Sequence, residues 1–120
     1  MSTVERFEDL LVWQKARELA VAVYRDYAHS KDFGFKDQIL RAAVSIMNNI
    51  AEGFDRKGNK EFGHYLYIAK GSCAEVRSML YLGSDLRHCS PERTRELLQM
   101  TNDISCMLGG LIRSLRPSSE

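Results

Sequence analysis

Residues 38–53 read Gln-Ile-Leu-Arg-Ala-Ala-Val-Ser-Ile-Met-Asn-Asn-Ile-Ala-Glu-Gly, and their polar members recur at a helical spacing. Placed on a helix at roughly 100° per residue, Gln38, Arg41, Ser45, Asn48, Asn49 and Glu52 gather within an arc of roughly 100°. Ile39, Leu40, Ala42, Ala43, Val44, Ile46, Met47, Ile50 and Ala51 cover roughly the other 200°. A surface helix of a monomer usually hides a narrower stripe. The polar arc is also mostly amide and hydroxyl, with one Arg and one Glu. Such a helix is expected to have neighbours on nearly all sides, as in an assembly. The same pattern fits the central helix of an ordinary bundle with a solvated polar edge.

The 3.6-residue period recurs along the chain and predicts four helices, over about 8–28, 37–53, 60–88 and 91–115. In the first, Val12, Ala16, Leu19, Val23 and Tyr27 form the seam. Glu8 and Asp9 fall in its first turn, where carboxylates suit the helix dipole. His29 to Phe35 is the expected connector. The second helix starts near Asp37, and Phe54 to Gly58 turns the chain. Asn59 is the expected N-cap of the third helix. Ser90-Pro91-Glu92 is the cleanest boundary: Ser as N-cap, Pro at the first helical position, Glu in the first turn. Leu97, Ile104, Leu108, Leu111 and Leu115 stripe the fourth helix, and Pro117 stops it. Four long helices with short connections predict an all-α protein, one domain spanning residues 1–120.

The third helix carries two seams. Phe62, Leu66, Ala69, Cys73, Val76, Leu80 and Gly83 make one. Gly63, Tyr67, Gly71, Ala74, Ser78 and Tyr81 make another on the opposite side, where Lys and Glu are normally expected. A glycine inside a helix costs up to about 1 kcal/mol relative to Ala. Small residues with Tyr permit close approach of a second helix, so this seam is the expected oligomer interface. The alternative is chance, since exposed Ala, Ser and Tyr are common.

Charge alters this picture little. With 17 Lys and Arg against 16 Asp and Glu, the net charge is +1 and no global pull toward nucleic acid exists. The one local excess is in residues 31–60, where Arg56, Lys57 and Lys60 contribute much of it. With Lys70 and Arg77 they form the candidate RNA-binding set, and Tyr67 and Tyr81 are candidate stacking rings. Cys73, Cys89 and Cys106 are odd in number and lack C-x-x-C spacing, which argues against a disulfide framework or a zinc site. With no run of about 18 apolar residues and no apolar leader core, the chain is expected to be cytoplasmic.

Catalytic chemistry is sparse. Glu61-Phe62-Gly63-His64 is one E-x-x-H step, whereas a di-iron bundle needs two such steps and two further carboxylates. His64 also falls roughly 160° from the Phe62 seam. No metal and no cofactor are therefore expected. Cys73 lies on the apolar seam and is expected to be an inert thiol. Gln38, Arg41, Ser45, Asn49, Glu52, Ser72 and Glu75 are expected to form a partly buried polar network, with Glu75 pairing Arg41. The alternative is an enzyme of unknown type built on Asn49, Glu52, Ser72 and Glu75. An open concave pocket around those four groups would favour chemistry, and mutual burial would favour assembly.

Phe7-Glu8-Asp9-Leu10, Val12-Trp13-Gln14-Lys15-Ala16 and Leu111-Ile112 resemble a known family across nearly the whole chain. The specific part is Gln38-Ile39, Arg41-Ala42-Ala43, Ser45-Ile46 and Asn49-Ile50-Ala51-Glu52-Gly53. Arg56, Lys60-Glu61-Phe62, Leu66, Ala69, Gly71-Ser72 and Glu75 continue it. These residues are similar to those of the four-helix bundle proteins of ribosomal RNA intervening sequences, also labelled S23 ribosomal proteins. The resemblance implies an antiparallel four-helix bundle and a ring-shaped homopentamer. A related branch is the accessory protein of diversity-generating retroelements, which is basic and binds a reverse transcriptase. This chain departs from the pattern at Leu40, where a second basic residue is common, and at Met47, where Pro is common. The resulting expectation is a non-catalytic homo-oligomeric assembly protein. Its implied partners are further copies of itself and RNA or an RNA-handling protein such as a reverse transcriptase, with no membrane.

Overall fold

A short 3-10 turn at Phe7–Asp9 leads into four α-helices: α1 (Leu11–Tyr27), α2 (Phe33–Asp55), α3 (Asn59–Asp85) and α4 (Pro91–Ser114). The computed structural model describes residues 4–117, and no strand occurs among them. The all-helical class and the four elements are those the periodicity predicts. Three of the predicted starts differ, each for a local reason.

Glu8 and Asp9 lie in the 3-10 turn rather than in α1, because Leu10 is extended (φ −74°, ψ 124°) and separates the two. The turn is held by the Gln14 side chain, whose Nε2 donates to the Glu8 carbonyl at 2.9 Å. Phe7 also sets its ring edge against Trp13, with centroids 5.2 Å apart. Helix α2 begins at Phe33 rather than near Asp37. The Asp32 carboxylate accepts from the Phe35 N–H at 3.3 Å and caps the first turn, so Phe33-Gly34-Phe35 is helix and not connector. At the start of α3 the cap position belongs to Gly58, whose φ of 130° suits glycine, and Asn59 is the first helical residue. The α4 boundary is as read: Ser90 Oγ accepts from the Arg93 N–H at 3.1 Å, and Pro91 opens the helix.

Each helix packs along its neighbour in sequence, and α1 also packs along α4; the diagonal backbones stand apart, although the Tyr27 hydroxyl of α1 reaches Gly83 of α3. One apolar core fills the space between them. Leu19, Val23 and Tyr27 come from α1, Ile39, Ile46 and Ile50 from α2, Leu66, Val76 and Leu80 from α3, and Leu97, Ile104 and Leu108 from α4. The α2–α3 seam is the closest. A Cβ on Gly53 would lie 2.5 Å from Tyr65 Cβ, and one on Gly83 would lie 2.8 Å from the Phe35 ring. The result is a rod of 50 × 24 × 23 Å.

Candidate functional site

The polar arc of α2 divides into a bonded centre and open flanks. At the centre, Ser45 and Ser72 join α2 to α3 through a 2.9 Å hydroxyl–hydroxyl hydrogen bond. Asn49 Nδ2 donates to both the Ser45 carbonyl (2.8 Å) and the Ser45 Oγ (3.0 Å). All three side chains are half-buried. Helix geometry puts Ser45 and Asn49 on adjacent turns of one face, which allows the contact.

The expected wider network is not made by the single chain. Gln38, Arg41, Glu52 and Glu75 are exposed, and Arg41 and Glu75 form no ion pair among the described residues. Both line an open cleft of about 440 Å³ with Asp37, Gln38, Ala42 and Ser45, where water solvates each charge at little cost. Glu52 instead pairs with Arg56 one turn on, at 2.8 Å, and its carboxylate accepts from the Tyr65 hydroxyl at 3.4 Å. The Arg56 guanidinium lies over the Tyr65 ring, 5.2 Å from its centroid.

A second cleft of about 530 Å³ opens between Tyr24 of α1 and the arc, lined by Asp37, Arg41, Asn49 and Glu52 among others. The four groups of the enzyme reading are thus divided. Asn49 and Glu52 face this cleft, Glu75 faces the other, and Ser72 lines neither. Neither cleft is lined by His or Cys. His64 is exposed on α3, and Glu61 lies 3.8 Å from Arg56 rather than beside it. Among the described residues no three His, Cys, Asp or Glu side chains are grouped as metal ligands would be. Cys73 is buried, donates to the Thr101 carbonyl at 3.2 Å, and has its thiol pushed up to about 11 by burial.

The outer side of α3 holds the small-residue stripe. Gly71, Ala74 and Ser78 are exposed there, and a Cβ on Gly63 or Gly71 would meet nothing within 4 Å. Tyr67 and Tyr81 expose 55% and 54% of their surface. Exposed Ile68 and Leu82 flank the stripe, a pair that neither of the α3 seams read from the sequence includes. Toward α4, Gly63, His64 and Tyr67 line a mainly apolar cleft of about 680 Å³ with Lys60, Ile112, Leu115 and Arg116.

The five basic candidates fall into two places. Arg56 and Lys57 stand at the α2–α3 turn, Arg56 already paired with Glu52. Lys60 lines the α3–α4 cleft, and Lys70 reaches over Gly109 of α4. Arg77 has its Nε buried without a partner among the described residues. Two cations absent from the sequence-based set join this second place. Arg116 donates to the Tyr67 hydroxyl at 3.4 Å, and Arg113 lies beside Gly109.

Residues 8–110 match the family described as 23S rRNA-intervening sequence protein. The chain belongs to that family. A crystal structure of a protein of unknown function from the S23 ribosomal protein family of Bacteroides thetaiotaomicron VPI-5482 superposes with a TM-score of 0.81. It is 26% identical to this chain, and the match covers 86% of this chain and 99% of that one. No curated protein matches. Neither the family's description nor that of the similar structure names a catalytic role. No described helix is long and apolar enough to cross a membrane.

Proposed function

We propose that the protein is a non-catalytic scaffold: an antiparallel up-down-up-down four-helix bundle that assembles into a ring-shaped homo-oligomer and engages RNA or an RNA-handling protein. The antiparallel order is supported by connectors too short to carry the chain back along a helix of 17 residues or more before the next one begins.

One observation carries the oligomer. Helix α3 keeps Gly63 and Gly71 in its interior, each costing up to about 1 kcal/mol against Ala, and nothing among the described residues lies within 4 Å of where their Cβ atoms would be. A second copy set close against Gly71, Ala74 and Ser78 recovers that cost and covers Ile68 and Leu82. A closed cyclic arrangement repeats one head-to-tail contact and leaves no sticky end. The number five comes from the family resemblance alone.

Asn49 and Ser72 are tied up in hydrogen bonds to Ser45, and Glu52 and Glu75 are exposed in clefts that hold no His or Cys, which supports a scaffold over an enzyme. Light scattering coupled to size exclusion tests the assembly. The unmodified chain is expected to elute as an oligomer, and Ile68→Glu with Ala74→Arg as smaller, still helical species. A monomer at micromolar concentration for the unmodified chain overturns the proposal.

A further inference from the structure

The face shared by α3 and α4 gathers cations with few acids among them. Helical spacing places Gly63, Tyr67, Lys70, Ala74, Arg77 and Tyr81 within an arc of roughly 80° on α3, while Glu61 and Glu75 fall outside it. On α4, Glu92, Glu96 and Asp103 lie roughly 100° or more round the helix from Gly109. Asp85, at the far end of α3, is the exception. Lys60, Lys70, Arg77, Arg113 and Arg116 form no ion pair among the described residues.

Two details on this face ask for an anion. Lys70 Nζ and Arg113 Nη1 converge on one glycine: they lie 3.9 and 3.6 Å from the point a Gly109 Cβ would occupy. Two cations held over the same residue, with no ion pair among the described residues, favour a counter-charge beside them. Arg77 then has a buried Nε–H with no acceptor among the described residues. The Arg113 guanidinium also reaches over the adjacent Gly110, 3.8 Å from the point its Cβ would occupy, so donors rather than side-chain bulk line this part of α4.

Tyr67 and Tyr81 flank this line with half-exposed rings, about 21 Å apart along the helix axis. Tyr67 has its hydroxyl tethered to Arg116, which steadies the ring and keeps a cation beside it. Alternating cations and aromatic rings along a groove suit a polyanion with unpaired bases, because stacking needs bases that are not already in a duplex.

We propose that the α3–α4 face binds single-stranded RNA, its phosphates held by Lys70, Arg77, Arg113 and Arg116 and a base stacked on Tyr67. This deepens the RNA reading above and rests on it. It moves the contact from the Arg56–Lys57 turn, where Glu52 already neutralises Arg56, to the α4 side of α3, with Gly71 and Ser78 outside its arc.

Fluorescence anisotropy of a labelled oligouridine with the full chain tests the placement, with circular dichroism and size exclusion run on every variant. Lys70→Glu with Arg113→Glu is expected to weaken binding about tenfold or more, and the salt slope to fall by about one per cation removed. The milder Lys70→Gln with Arg113→Gln moves the same way if the charge reversal misfolds. Tyr67→Ala is expected to weaken single-stranded RNA about fivefold or more and to leave duplex RNA unaffected. Arg56→Glu with Lys57→Glu is expected to change little. If the turn variant loses binding while the Lys70 and Arg113 variants retain it, the placement is wrong and the broader RNA reading stands. No binding by the unmodified chain at low salt removes both. Loss of the oligomer together with loss of binding in the Lys70 and Arg113 variants makes this face a contact between copies and overturns the proposal. Duplex RNA bound as tightly as single strand, with no effect of Tyr67→Ala, overturns it as well.

Discussion

Gly53 and Gly83 stand where α2 and α3, and the Phe35 ring, press together; Gly63 and Gly71 stand on the open side of α3. In the sequence all four are glycines inside helical pattern. In space the first pair is demanded by packing within the chain, and the second pair is not. A Cβ at Gly53 collides with Tyr65 Cβ, whereas one at Gly71 meets no atom within 4 Å. The inner pair is explained by this fold. Nothing among the described residues explains the outer pair, which is why the assembly proposal rests on it.

Substitution separates the two pairs most sharply. Gly53→Ala is expected to cost about 1–3 kcal/mol, because the colliding atom is the Tyr65 Cβ rather than the tip of a flexible side chain. Urea denaturation measures it, and a loss below about 0.5 kcal/mol would mean that the α2–α3 seam yields easily. Gly71→Ala is expected to act in the opposite direction on helix stability, by up to about 1 kcal/mol, since it adds a better helix former in open space. In an assembly it also pushes the neighbouring copy away. Size exclusion of Gly71→Ala therefore sharpens the contrast: raised thermal stability with an unchanged elution position would make the outer glycines irrelevant to assembly.

A smaller effect probes the inner region at the Tyr27 hydroxyl. It is buried beside Cys89, and burial raises its ionisation above the usual phenol range. The folded chain thus holds this proton more tightly than the unfolded chain does. The associated stability is fully present below about pH 10 and is lost as pH rises from there toward the folded value. Tyr27→Phe is expected to change stability at neutral pH by less than about 1 kcal/mol, since it removes a buried hydroxyl that has no firm partner. Above about pH 10 the variant should lose stability less steeply than the unmodified chain. Denaturation curves on both sides of that pH check it, and parallel slopes would show that the hydroxyl ionises freely.

The same inner-and-outer division governs what the sequence revealed. The core seams were legible because burial repeats every turn and every core position obeys it; Leu66, Val76 and Leu80 are all fully buried. The start of α4 was legible because Ser90 and Pro91 act locally. The start of α2 was not, since Gly34 and two Phe look like a connector until Asp32 is seen to cap them. The polar arc was half legible. Ser45 and Asn49 are one turn apart and found each other, but whether Arg41 reaches Glu75 depends on how wide the α2–α3 cleft stands, which no spacing encodes. The cations of α4 were missed because Arg113 and Arg116 are remote in sequence from Lys70 and Tyr67, and only the packing of α3 on α4 brings them together.

The pattern of helix contacts has a kinetic consequence. Three of the four helix seams join elements that follow one another along the chain, so each can form as a local hairpin at the entropic cost of closing a short loop. Only the α1–α4 seam requires distant parts of the chain to meet. A topology so rich in local closure folds quickly for its size and spends little time with its apolar surfaces bare. If copies join through the outer helix faces as proposed, a brief exposure during folding limits the chance that they do so before each is complete.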